Sequence, residues 1–168
     1  MDNKFLEICN LHKRKILFAG IGNVLRSDDG VGVFISRQIH NTRNIFSLTA
    51  ELSIENYIGK INKIKPDILI IIDSVEMNSD PGSYRLLAID NVLDMTFNTH
   101  NISLKRLTEF FQMSTFILGI QPLYLGFGEN ISLPVLQAAN SIIELINNTE
   151  VIYGNPIFMS GMQRTIKS

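Results

Sequence analysis

Residues 16–35 read ILFAGIGNVLRSDDGVGVFI. The run Ile16-Leu17-Phe18-Ala19-Gly20 has the apolar continuity of a short buried strand. Gly20, Gly22 and Asn23 follow as a turn. Beyond Asp28-Asp29, the spacing of Val31, Val33, Phe34, Ile35 and Ile39 predicts a helix with acidic residues in its first turn, where the macrodipole favours them. Strand, glycine-rich turn and helix, in that order, open a β-α-β unit and predict a parallel sheet.

Working outward, residues 45–52 read as a second strand, and Ile54, Tyr57, Ile58, Ile61 and Ile64 recur with helical spacing until Pro66 stops the run. Residues 68–72 are uniformly apolar and mostly β-branched, as a strand buried on both faces of a parallel sheet must be, and they end in Asp73. Asp80-Pro81-Gly82 is a turn signal, and residues 83–89 predict a strand added antiparallel at the sheet edge. Leu104, Leu107 and Phe110-Phe111 suggest a further helix, 115–120 a fifth strand, and 131–146 a closing helix with Pro134 in its first turn. The predicted fold is α/β, a single-domain doubly wound and mostly parallel twisted sheet of about five strands, with helices on both faces and one antiparallel edge strand. Residues 1–168 form that one domain, with 1–14 as an N-terminal extension and 148–168 as a C-terminal tail.

The length of 168 residues suits one buried core, and 15 Lys plus Arg against 16 Asp plus Glu carry no electrostatic footprint for nucleic acid or an acidic membrane. The longest apolar runs fall far short of the ~20 residues of a membrane span, and no signal-peptide pattern opens the chain, so a cytoplasmic protein is expected. The single cysteine, Cys9, has no disulfide partner and no CxxC spacing and reads as structural or incidental.

A doubly wound sheet binds ligands beyond the carboxyl ends of its strands. Three polar residues map there: Asp29 after the first strand, Asp73 closing the third, and His100 in a loop able to fold over the same edge. Two carboxylates and an imidazole make an oxygen, oxygen, nitrogen set with open positions, suited to a borderline divalent ion. Each residue also has a plainer reading. Asp28 and Asp29 serve a helix N-terminus, Asp73 caps a turn, and His100 is a hydrogen-bonding loop residue. A dinucleotide site is disfavoured, because Leu25 occupies the third glycine of GxGxxG, Glu51 lies too far along for the ribose carboxylate, and two aspartates at the helix start repel a pyrophosphate.

The stretch Gly20-Ile21-Gly22-Asn23-Val24-Leu25-Arg26-Ser27-Asp28-Asp29-Gly30-Val31-Gly32 resembles the N-terminal signature of the hydrogenase maturation proteases. Thr99-His100-Asn101-Ile102-Ser103-Leu104 resembles that family's histidine motif, and Leu118-Gly119-Ile120-Gln121-Pro122 a later strand of its hydrogenase 3-type branch. The likeness spans about residues 15–147, with the three motifs in the family's order.

The resemblance implies an endopeptidase that removes the C-terminal extension of a [NiFe] hydrogenase large-subunit precursor, cutting near its nickel-binding cysteines. By position it implies metal ligation by Asp29, Asp73 and His100, and catalytic roles for Asp29 and Asp73. The implied ion is nickel supplied by the precursor, so the isolated protein is expected to be metal-free, and a monomer is expected. A non-cleaving module that senses nickel in the precursor is the alternative. One departure is Ala50-Glu51-Leu52-Ser53, where the family often carries a Gly-Gly pair, and it predicts a different peptide-binding loop.

Overall fold

A computed structural model describes residues 3–10, 13–89 and 109–153. Five strands, β1 (Ile16–Ile21), β2 (Ile45–Glu51), β3 (Ile68–Ser74), β4 (Tyr84–Ala88) and β5 (Ser114–Ile120), form one sheet in the order β2-β1-β3-β5-β4. The first four neighbours in that order run parallel, and β4 pairs antiparallel to β5 at the edge. This is the predicted doubly wound architecture. The chain leaves β1 towards β2 on one side and then crosses to β3 on the other, so the order reverses beside β1.

Alternate residues of each strand point to opposite faces, which divides the core in two. Phe18, Ile70, Ile72 and Leu118 face α1 (Asn3–Cys9), α2 (Val31–Ser36) and α4 (Leu133–Tyr153). Leu17, Ala19, Ile71 and Ile117 face α3 (Ile58–Ile64). Every residue of β1 and residues 68–73 of β3 are buried, which accounts for their unbroken apolar runs.

Local signals act where expected. Asp80-Pro81-Gly82-Ser83 is a type II turn, closed by the Ser83 amide on the Asp80 carbonyl at 2.9 Å with Gly82 at φ 83. Lys65, left-handed at φ 52, and Pro66 end α3. Four features differ from the periodicity. The segment after Asp28 begins as a 3-10 turn, Ser27–Gly30, and α2 stops at Ser36, leaving Ile39 outside it. Residues Asn3–Cys9, read from sequence as part of an extension, form α1 and bury Phe5, Ile8 and Cys9 in the core. The closing helix runs past residue 146 to Tyr153, with Thr149 buried and its hydroxyl donating to the Leu145 carbonyl at 2.7 Å. Most of the helix expected from Leu104 to Phe111 lies outside the described residues.

Cys9 is 3% exposed, and burial pushes its thiol from 9.0 up to about 12. The raised value means that the folded chain keeps a proton that the unfolded chain releases first. Stability is therefore expected to be insensitive to this group below pH 9 and to fall as pH rises from 9 to 12. Urea midpoints across that range should show a steeper decline for the natural chain than for Cys9→Val, which keeps the volume and removes the proton.

Candidate functional site

The turn between β1 and α2 is built around close backbone approaches. Gly22, at φ 131, lies against the Asp29 carbonyl, where a side chain would collide, and its amide donates to the Glu51 carbonyl at 3.0 Å. The Asn23 side chain accepts the Leu25 amide at 2.9 Å, and its carbonyl accepts the Arg26 amide at 3.0 Å. These bonds coil residues 23–26 so that the 3-10 turn follows directly, and Asp29 aims back into it. The Asp29 Oδ2 accepts the Asn23 amide at 3.0 Å, and the residue is 1% exposed.

Asp73 stands at the carboxyl end of β3, fully buried, one residue past the Gly20 and Ile72 pair, with its Oδ1 accepting the Ser74 amide at 2.8 Å. The 3-10 turn carrying Asp29 packs on β3. Gly32, the first turn's last glycine, touches the carbonyls of Ile21 and Ile72 so closely that a Cβ has no room. The two carboxylates thus come from the 3-10 turn that follows β1 and from the end of the adjacent β3, at the point where the strand order reverses and where such folds form their binding crevice. His100, the third expected ligand, lies outside the described residues, and among the described residues no group of three His, Cys, Asp or Glu is placed to hold a metal ion.

Asp28 plays a different part. It is fully buried, and its carboxylate takes four hydrogen bonds from the loop after β5. Its Oδ2 accepts the amides of Leu123 and Tyr124, both at 2.9 Å, and the Ser132 hydroxyl at 2.8 Å, while Oδ1 accepts the Ser132 amide at 2.6 Å. Sequence reasoning placed Asp28 and Asp29 together at a helix start. The resemblance singles out Asp29 of the two, and what Asp28 bonds to is visible only in the tertiary structure.

Gln121, noted in sequence only as part of a strand motif, organises the loop after Asp73. Its Oε1 accepts the Met77 amide at 2.7 Å and its Nε2 donates to Glu76 Oε1 at 2.6 Å. Ala50-Glu51-Leu52-Ser53 also finds its explanation: the pairing of β1 with β2 slips between Gly20 and Ile21, and Glu51 sits left-handed at φ 51, a geometry glycine adopts without strain. The exposed Glu51 side chain pairs with Arg37 at 3.0 Å.

The turn after β1 and the loop after β5 carry exposed apolar side chains. Val24, Leu25, Leu123, Tyr124 and Phe127 are all at least 40% exposed. A groove of about 560 Å³ is lined by Val24, Leu25, Gly30, Val33, Phe34 and Ile131 together with Ser27, Arg37, Gln38 and Glu129. Exposed apolar side chains beside a groove of mixed polarity suit a polypeptide partner.

A family model described as HycI, hydrogenase maturation protease, matches residues 36–149. The chain is 28% identical over 155 residues to a candidate hydrogenase maturation protease of Methanocaldococcus jannaschii, covering 82% of this chain and 92% of that one. It is 26% identical over 136 residues to the hydrogenase 3 maturation protease of Escherichia coli K12, covering 77% of this chain and 87% of that one. Among solved structures it is similar to the [NiFe] hydrogenase maturation protease HycI of Thermococcus kodakarensis, with a TM-score of 0.75 and 26% identity over 86% of this chain and 97% of that one.

Proposed function

The chain belongs to the hydrogenase maturation protease family, and from that premise we propose that it removes the C-terminal extension of a [NiFe] hydrogenase large-subunit precursor once nickel has been inserted. The observation that supports this reading is that Asp29, on the turn after β1, and Asp73, at the end of β3, are buried and acidic beside the strand reversal. Burying a carboxylate is costly unless hydrogen bonds or a cation meet it there, so buried acidic groups beside a binding crevice are candidates for function.

The chemistry follows from the donor set. In this reading, Asp29 and Asp73 supply carboxylate oxygens and His100 a nitrogen to the nickel that the precursor carries, which fixes the adjoining peptide bond over the site. A carboxylate would take a proton from the attacking water as general base and return it to the leaving nitrogen as the C–N bond breaks, and the ion would polarise the carbonyl. Recognition is conditional, since an unloaded precursor lacks the ion that the half-built site completes. The protein alone holds too few ligands to retain nickel tightly.

The test is a cleavage assay on a large-subunit precursor co-expressed with this chain, with and without nickel. Release of a short C-terminal peptide only from loaded precursor is expected. Nickel-dependent complex formation without release would replace this reading by that of a non-cleaving sensor, and failure to bind or cut any large subunit of its organism would end both.

A further inference from the structure

We propose that Asp28 is the positioning residue for Asp29: its carboxylate locks the turn after β1 to the loop after β5 and thereby aims the neighbouring side chain. This rests on Asp29 being a reactive carboxylate of the site.

The turn and the loop are joined by no short stretch of chain, the bonded residues being 95 to 104 positions apart. Asp28 closes that gap with its four accepted bonds, and its own amide donates to the Tyr124 carbonyl at 3.2 Å. Bonds to an ionised acceptor are about twice as strong as neutral ones. A second clasp lies just upstream, where the Gly128 amide donates to the Leu25 carbonyl at 2.9 Å and the Ser27 amide donates to the Gly128 carbonyl at 2.6 Å. Between the clasps Ser27 is held left-handed at φ 49, a conformation that persists only where its surroundings enforce it. Asp29 is the next residue but one, and its carboxylate meets the Asn23 amide within the same turn. Loosening residues 27–28 therefore moves Asp29, and a misplacement of about 1 Å is enough to cost about 10²-fold in rate.

An amide cannot replace the carboxylate. With its oxygen towards Leu123 and Tyr124, an asparagine turns its NH2 on the Ser132 amide; flipped, it turns that NH2 on two backbone donors. Ser132→Ala is the milder variant, removing one of the four bonds and leaving the backbone donors in place.

The experiment measures amide hydrogen exchange in the full chain for the natural protein, Asp28→Asn and Ser132→Ala, with Ile70 in β3 reporting global opening, alongside precursor cleavage per folded molecule. Asn23 is expected to lose protection together with Leu123 and Tyr124 while Ile70 keeps its own. In the same variants kcat falls, by about 10²-fold in Asp28→Asn and by less in Ser132→Ala, with KM changed far less. If Asp28→Asn does not fold, Ser132→Ala decides. Protection lost at Leu123 and Tyr124 but kept at Asn23 would overturn the proposal, as would an unchanged kcat in a cleaving enzyme. If the natural chain cuts no precursor, the functional reading fails separately and the Asn23 amide still decides the coupling.

Discussion

Asp29→Asn and Asp73→Asn are each expected to lower release of the C-terminal peptide from nickel-loaded precursor by about 10²–10⁴-fold, the range for losing a general base. The substitution keeps shape and one acceptor oxygen, so the Asn23 amide can still bond residue 29 and the Ser74 amide residue 73. What it removes is the charge that meets a cation and the basicity that takes a proton from water. Because both side chains are almost wholly buried, replacing a carboxylate by a neutral amide also lessens a desolvation cost. Stability is therefore expected to hold or rise as activity falls, the pattern of a group kept for function. Gel-mobility time courses of the large subunit, paired with urea midpoints, test this. A variant cutting within tenfold of the natural rate would remove that aspartate from the chemistry, and one that failed only by unfolding would make it structural.

Gly32→Ala carries the largest expected stability effect. An added Cβ would meet the carbonyl oxygens of Ile72 and Ile21 and the Ile72 carbonyl carbon at 2.9 Å. All are backbone atoms of β3 and β1, so no side chain can swing aside. The only relief is for α2 to rise from the sheet, which uncovers Val31 and Ile35 and separates the turn carrying Asp29 from the strand carrying Asp73. Overpacking of this kind costs about 3 kcal/mol or more when the neighbours cannot yield. Gly59→Ala in α3 is the control, since nothing lies within 4 Å of its Cβ, and it should stabilise by about 0.5–1 kcal/mol through helix propensity. Urea unfolding of the two variants should give opposite signs. A neutral Gly32→Ala would show that α2 is not pinned to the strand ends as described.

Much of the fold was readable in local pattern. The unbroken apolar runs at 16–20 and 68–72 announced strands buried on both faces, Pro66 and Asp80-Pro81-Gly82 marked ends and turns, and the edge strand came out antiparallel as expected. The amphipathic signal of residues 3–9 was too short to show that Phe5 and Cys9 fill the core, because packing partners such as Tyr84 come from far along the chain. Nor does composition show that Glu51 adopts a left-handed backbone, which depends on the register of β2 against β1.

By itself the sequence determined the order of elements, the two-faced core and the appearance of Asp29 and Asp73 at strand ends, because period, turn chemistry and apolar continuity are properties of neighbouring residues. The resemblance had singled out Asp29 of the two adjacent aspartates, and only the tertiary structure decided what each carboxylate meets. One is directed to a loop about a hundred residues away and the other back into its own turn. That choice depends on which distant backbone donors the folded sheet brings within 3 Å, and no local pattern encodes it.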